Sequence, residues 1–148
     1  LAHVASREAI VCVEKIAGLN PEIVNYSNIP GCTYTTPEVA SVGLTKAKAE
    51  AEGREVRVGK FMYMASGKAA ASGNRDGFVK VVIDAKTDEI LGCSMIGDNV
   101  TEMIAEIVVA RQKGLTAEEV ASSVHPHPTM SEAVMEAIEA AYNKAIHG

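Results

Sequence analysis

The hydrophobic pattern of this chain changes period along its length, and each change marks an element. "FVKVVID" (78–84) and "EILGCSMIG" (89–97) are apolar and rich in β-branched residues, and the polar turn "AKTD" joins them as a β-hairpin. "REVRVGKFMYM" (54–64) alternates polar and apolar side chains, which predicts a further strand with one solvated face. "CTYTT" (32–36) reads as a short strand of β-branched and aromatic residues, stopped by Pro37. Between these, "ASGKAAASGNRDG" (65–77) is small and polar and reads as a loop or an edge strand.

Elsewhere the spacing is helical. In "LAHVASREAIVCVEKIAG", Leu1, Ala5, Ala9, Val13 and Ile16 share a face, and Gly18 is a suitable C-cap. Thr45 is placed to N-cap "KAKAEAEG", which Gly53 closes. Residues 98–113 carry Val100, Met103, Ile104, Ile107 and Val108 on one face, with Arg111 and Lys113 in the last turn and Gly114 after it. Thr116 and Glu119 form a capping-box pattern, and a final helix is predicted over about 129–144. Val134, Ile138 and Tyr142 on that helix exceed what one small sheet is expected to cover, which predicts a homodimer.

Strands paired in sequence order and flanked by helices give an α+β class, an antiparallel β-sheet with helices packed on it. Residues 31–148 make one domain; residues 1–30, a helix and a turn-rich connector, stand apart from it. The chain opens on helical spacing with no initiator Met, so it is expected to be a fragment of something longer, with residues 1–30 poorly anchored or packed in a non-native way.

Composition narrows the function classes. The chain has 148 residues, 47% hydrophobic and 22% charged, which is enough for one domain with a real core. A net charge of −5 leaves no basic footprint, so no nucleic-acid partner is expected. No apolar run approaches the roughly 20 residues of a membrane span, so no membrane partner is expected. Cys12, Cys32 and Cys93 lie far apart and are odd in number, which fits reduced, buried thiols and a cytoplasmic setting.

The chemistry concentrates in "SVHPHPTMSEAV" (123–134). His125 and His127 are two apart and share a side of an extended segment, as metal ligands can. A zinc site needs three or four ligands, however, and no third is near in sequence. Thr129 and Glu132 fit a capping box, which would spend the carboxylate on a backbone N–H. The same Glu132 can also reach a ring nitrogen of His127, whose backbone is restricted on both sides by Pro126 and Pro128. A carboxylate there fixes the tautomer and leaves the other nitrogen free to take a proton, an acid–base dyad. Spacing does not decide between cap and dyad.

"HPHPTMSE" resembles the H-x-H-P-T-x-x-E signature of the dihydrolipoamide dehydrogenases, FAD-dependent pyridine nucleotide-disulfide oxidoreductases. "YTTPEVASVGLTKAKAEAEG" and "ASGNRDGFVKVVIDAKTDEILGCSMIGDNVTEMIAEIVVA" resemble the C-terminal interface (dimerisation) domain of that family, and "LAHVASREAIVCVEKIAG" the last helix of its FAD domain. The resemblance implies a parent enzyme that oxidises dihydrolipoyl groups and passes electrons through a redox disulfide and FAD to NAD+. It implies His127 as acid–base catalyst and Glu132 as its orienting carboxylate, both serving the partner subunit's flavin. It further implies flavin contacts from Leu1, Ala2, His3, His127 and Pro128, and a cis bond between His127 and Pro128. His125 is a motif member that either supports the segment or touches substrate. The implied partners are a second copy and the lipoyl domains of 2-oxo acid dehydrogenase or glycine cleavage complexes.

The chain holds neither a G-x-G-x-x-G fingerprint nor paired redox cysteines, so by itself it is expected to bind neither FAD nor NAD, hold no metal and be inactive. Two alternatives stand beside this one. The domain of a glutathione or mercuric reductase-like relative carries similar motifs, and a stand-alone homodimerisation module would use the helix cap alone.

Overall fold

The computed structural model describes residues 1–147. Five strands form one fully antiparallel sheet in the order β1-β2-β5-β4-β3: β1 Gly31–Thr33, β2 Glu38–Gly43, β3 Val56–Met62, β4 Phe78–Asp84 and β5 Ile90–Gly97. The expected hairpin, β4 and β5, lies at its centre. Both strands are buried because they alternate Val79, Val81 and Ile83 with Cys93 and Met95 on one face. Leu91 is an extra residue opposite the Val82–Ile83 step, and this bulge turns it to the other face, where it meets Val82 and Ala49.

Among the described residues there are six α-helices: α1 Ala2–Ile16, α2 Lys46–Ala51, α3 Gly67–Ser72, α4 Val100–Lys113, α5 Ala117–Ala121 and α6 Glu132–Ala141. The main core lies between one sheet face and α4 and α6, with Ile104 and Ile107 from α4 and Val134 and Ile138 from α6. α4 covers β2 and β5, while α6 covers β3 and β4. α6 seats on the sheet main chain to main chain. A Cβ at Gly59 of β3 would lie 1.8 Å from the Ala137 carbonyl oxygen and 2.6 Å from the Ala141 nitrogen.

The caps expected at Thr45, Thr116 and Gly114 form. Thr45 accepts from Lys48 N, and Thr116 and Glu119 make both bonds of a capping box. Gly114 closes α4 in the left-handed conformation.

Other expectations are corrected. "EVASVG", not read as a strand, is β2, because the small Ala40 and Val42 fit beneath α4. The stretch expected as a loop or edge strand contains α3, which Ser66 caps through Ala69 N and Gly73 closes at φ 77°. The final helix begins at Glu132 rather than about Thr129. Its apolar face is not left for a second copy: Val134 and Ile138 are fully buried in the chain's own core, and Tyr142 is half-buried, its hydroxyl donating to Asp88.

Contrary to the poor anchoring expected of residues 1–30, the connector between α1 and β1 is tied down. Asn28 is buried, donates to Val108 O (2.9 Å) and accepts from Arg111 (3.1 Å). α1 is held to that connector by Arg7 donating to Glu22 O and Tyr26 donating to Glu8. Its apolar stripe, with Leu1, Val13 and Ile16, stays exposed. The thiols differ in environment: Cys12 is exposed on α1, contrary to the buried role expected, Cys32 is partly covered, and Cys93 is in the core. Burial pushes the Cys93 thiol up to about 12, and burial with nearby Glu38 and Glu102 raises that of Cys32.

Candidate functional site

The ten residues between α5 and α6 pass beside the N-terminal half of α4 and are fixed by their own chemistry. Pro126 and Pro128 restrict the backbone, and the His127–Pro128 peptide bond is cis. Thr129 Oγ1 donates to Pro126 O at 2.7 Å, which closes the turn, and Met130 inserts into the core. His127 is left at the tip with its side chain 78% exposed.

Glu132, at the first position of α6, divides its carboxylate between two donors. Oε2 accepts from the Thr129 backbone N–H and Oε1 from His127 Nδ1, each at 2.8 Å. Cap and dyad therefore coexist on one side chain. Only half of the capping box forms, because the Thr129 hydroxyl is spent on Pro126, and the helix accordingly starts three residues later.

Burial pushes the Glu132 carboxyl up, but the Thr129 N–H and the His127 imidazole outweigh it and hold it below the usual carboxylate range. The stabilisation this network contributes is thus full above the ordinary carboxylate value and is lost as pH falls through the lowered one. At neutral pH the carboxylate is ionised, Nδ1 carries its hydrogen, and Nε2 is directed to solvent with no partner among the described residues.

His125 takes the opposite position. Its side chain is 7% exposed, with Nδ1 2.9 Å from Ser123 O and Nε2 2.8 Å from Glu106 Oε1 of α4. The two histidines are therefore not brought together on one ligand, and no group of three or more metal-ligating side chains occurs among the described residues. Sequence reading missed Glu106, which is 19 positions upstream of His125 and carries no spacing signal. It also missed a second pair, between Glu136 of α6 and His147 beyond it. Glu136, 3% exposed, accepts from His147 Nδ1 at 2.7 Å and from the Ile146 N–H at 3.1 Å. A groove of about 410 Å³ beside the turn is lined by Lys68, Glu102, Glu106, Pro128 and Ser131.

Leu1, Ala2 and His3 open α1 and are exposed; no side chain caps this end and no acidic residue lies in its first turn. The His3 ring donates to Pro30 O at 3.1 Å.

Residues 29–138 match the family model of the pyridine nucleotide-disulphide oxidoreductase dimerisation domain. The chain is 54% identical over 147 residues to dihydrolipoyl dehydrogenase of Bacillus subtilis, covering 99% of this chain and 31% of that protein. It is 45% identical to mitochondrial dihydrolipoyl dehydrogenase of Pisum sativum, covering 99% of this chain and 29% of that one. The chain thus spans about a third of the length of these relatives. Among solved structures, LpdA from Mycobacterium tuberculosis superposes with a TM-score of 0.88 at 25% identity, over 94% of this chain and 30% of that one. The flavoprotein disulfide reductase RclA from Escherichia coli shares the fold with a TM-score of 0.81, over 87% of this chain and 30% of that one, at 24% identity.

Proposed function

The chain belongs to the pyridine nucleotide-disulphide oxidoreductase family, as its dimerisation domain, and on that premise we propose that it forms part of a homodimeric dihydrolipoyl dehydrogenase in which His127 and Glu132 are the acid–base pair. The whole protein would oxidise dihydrolipoyl groups carried by the lipoyl domains of 2-oxo acid dehydrogenase or glycine cleavage complexes. One observation carries the reading: His127 Nδ1 is held by an ionised carboxylate while Nε2 is presented to solvent from a rigid turn. That is the geometry of a positioned base.

A dihydrolipoyl thiol must lose its proton before its sulfur can attack a disulfide, since the thiolate is the nucleophile. His127 Nε2 accepts that proton. Glu132 holds the ring in the required tautomer and stabilises the imidazolium that forms, and the proton is later returned from the same nitrogen. Glu132 is in turn held by the Thr129 N–H, so neither member of the pair rotates freely.

FAD, when bound in the whole protein, supplies the electron acceptor that hands on to NAD+. The first turn of α1 fits that cofactor: its N–H groups around Leu1, Ala2 and His3 are exposed and uncapped, and such donors suit developing negative charge. The main chain of His127 and Pro128 would meet the flavin of the partner subunit.

The test is dihydrolipoamide oxidation by the full-length protein carrying Glu132→Gln. The amide keeps a group able to accept from Thr129 but removes a charge-assisted bond to His127, typically about 1.5–3 kcal/mol. Turnover should fall roughly ten- to a hundredfold. Unchanged turnover would leave Glu132 as a helix cap only.

A further inference from the structure

The segment that presents His127 needs two anchors, and the dyad supplies only one. Glu132 grips the ring from the α6 side. Upstream, α5 ends at Ala121, Ser122 and Ser123 are exposed, and Val124 is 99% exposed. Between that open stretch and His127, the side chain that ties the segment to the body is His125, with its bond to Glu106 of α4. Pro126 then transmits the position rigidly, since its ring fixes φ between the two histidines.

We propose that Glu106, acting through His125, is a positioning residue for His127: it sets where the exposed Nε2 stands relative to an incoming dithiol. The proposal rests on the acid–base reading of His127. The His125 imidazole suits such a strut better than a bridging water or an apolar contact. Both of its nitrogens lie within hydrogen-bond distance of the body of the domain, one at a carbonyl and one at a carboxylate, so the ring is held from two sides. The bond to the carboxylate is charge-assisted and 93% shielded on the His125 side, given the 7% exposure of its side chain. α4 is itself packed into the core beneath it through Met103, Ile104 and Ile107.

The expected effect follows from what misplacement costs. A shift of about 1 Å in a reacting group can lower a rate on the order of 10²-fold. Glu106→Ala removes the anchor while favouring the helix, since alanine is the best helix former and Glu106 is partly exposed. In the full-length protein it should lower kcat for dihydrolipoamide oxidation by up to about 10²-fold. kcat and kcat/KM should fall together, the pattern for an interaction that matters only in the transition state. Glu106→Gln, which can still accept from His125 Nε2, should restore most of the loss. In the 148-residue chain, the His127 Nδ1–H proton resonance should shift or broaden in Glu106→Ala and recover in Glu106→Gln.

A lowered melting temperature with normal kcat and an unchanged His127 resonance would overturn the proposal, leaving the pair as a fold element. Equal defects in the Ala and Gln variants would overturn it as well. The resonance is read without turnover. If His127 proves dispensable for the reaction, the acid–base reading fails while the effect of Glu106 on the His127 ring is still measured.

Discussion

Replacing His127 with Gln in the full-length protein is expected to lower dihydrolipoamide oxidation by about 10²- to 10⁴-fold, the usual contribution of a positioned general base. Glutamine has no group that accepts a proton near neutral pH, so the thiol must ionise unaided. The effect should be confined to chemistry. His127 is 78% exposed at its side chain and makes no core contact, so its loss leaves the sheet and α6 intact. Glu132 keeps its bond from the Thr129 N–H, so the turn also persists. The check is steady-state turnover beside thermal unfolding and flavin content. Near-normal turnover with normal unfolding would remove His127 from the reaction. Because the carboxylate acts through the imidazole, the double variant His127→Gln with Glu132→Gln should be little worse than His127→Gln alone, as groups acting as one unit are not additive.

The largest stability effect is expected at Gly59. An alanine Cβ there would stand 1.8 Å from the Ala137 carbonyl oxygen, and that neighbour is helix backbone, not a side chain that can swing away. Either α6 rises from β3 or the strand bends. Overpacking of a tight core costs typically about 1–3 kcal/mol, and a clash with main chain belongs at the upper end. A domain of this size loses roughly 2–4 °C of melting temperature per kcal/mol, so Gly59→Ala should melt about 6–12 °C lower. Gly67→Ala is the matched control. It opens α3 with nothing within 4 Å, and alanine there should be neutral or stabilise by about 0.4–1 kcal/mol. Similar melting temperatures for the two variants would refute the seating of α6 on Gly59.

What was legible in the sequence is what local chemistry decides. The β4–β5 hairpin, α4 with its C-cap at Gly114 and the capping box at Thr116 depend on neighbours a few positions apart. β2 was not legible because Ala40 and Val42 become core only once α4 covers them. α3 was hidden by a Gly-, Ala- and Ser-rich composition that reads as flexible, although Ser66 and Gly73 are ordinary cap residues. At the site, the motif located His127 and Glu132, but spacing set cap against dyad as rivals when the two carboxylate oxygens serve both. The Glu106–His125 and Glu136–His147 pairs were invisible, since tertiary packing alone makes them neighbours. The apolar residues of α6 misled in the reverse direction. They were assigned to an interface between copies, and the chain's own sheet takes them.

The three thiols, graded from exposed Cys12 through partly covered Cys32 to Cys93 in the core, give the molecule an internal alkylation clock. A maleimide should mark Cys12 first, Cys32 slowly and Cys93 only on unfolding, because both access and thiolate fraction fall in that order from Cys32 to Cys93. Cys12 sits on α1, whose apolar stripe is open in this chain. Its labelling rate in the full-length protein therefore reports whether neighbouring chain covers that helix. One mass spectrum, with no cofactor, substrate or mutation, reads domain closure at one sulfur and global unfolding at another.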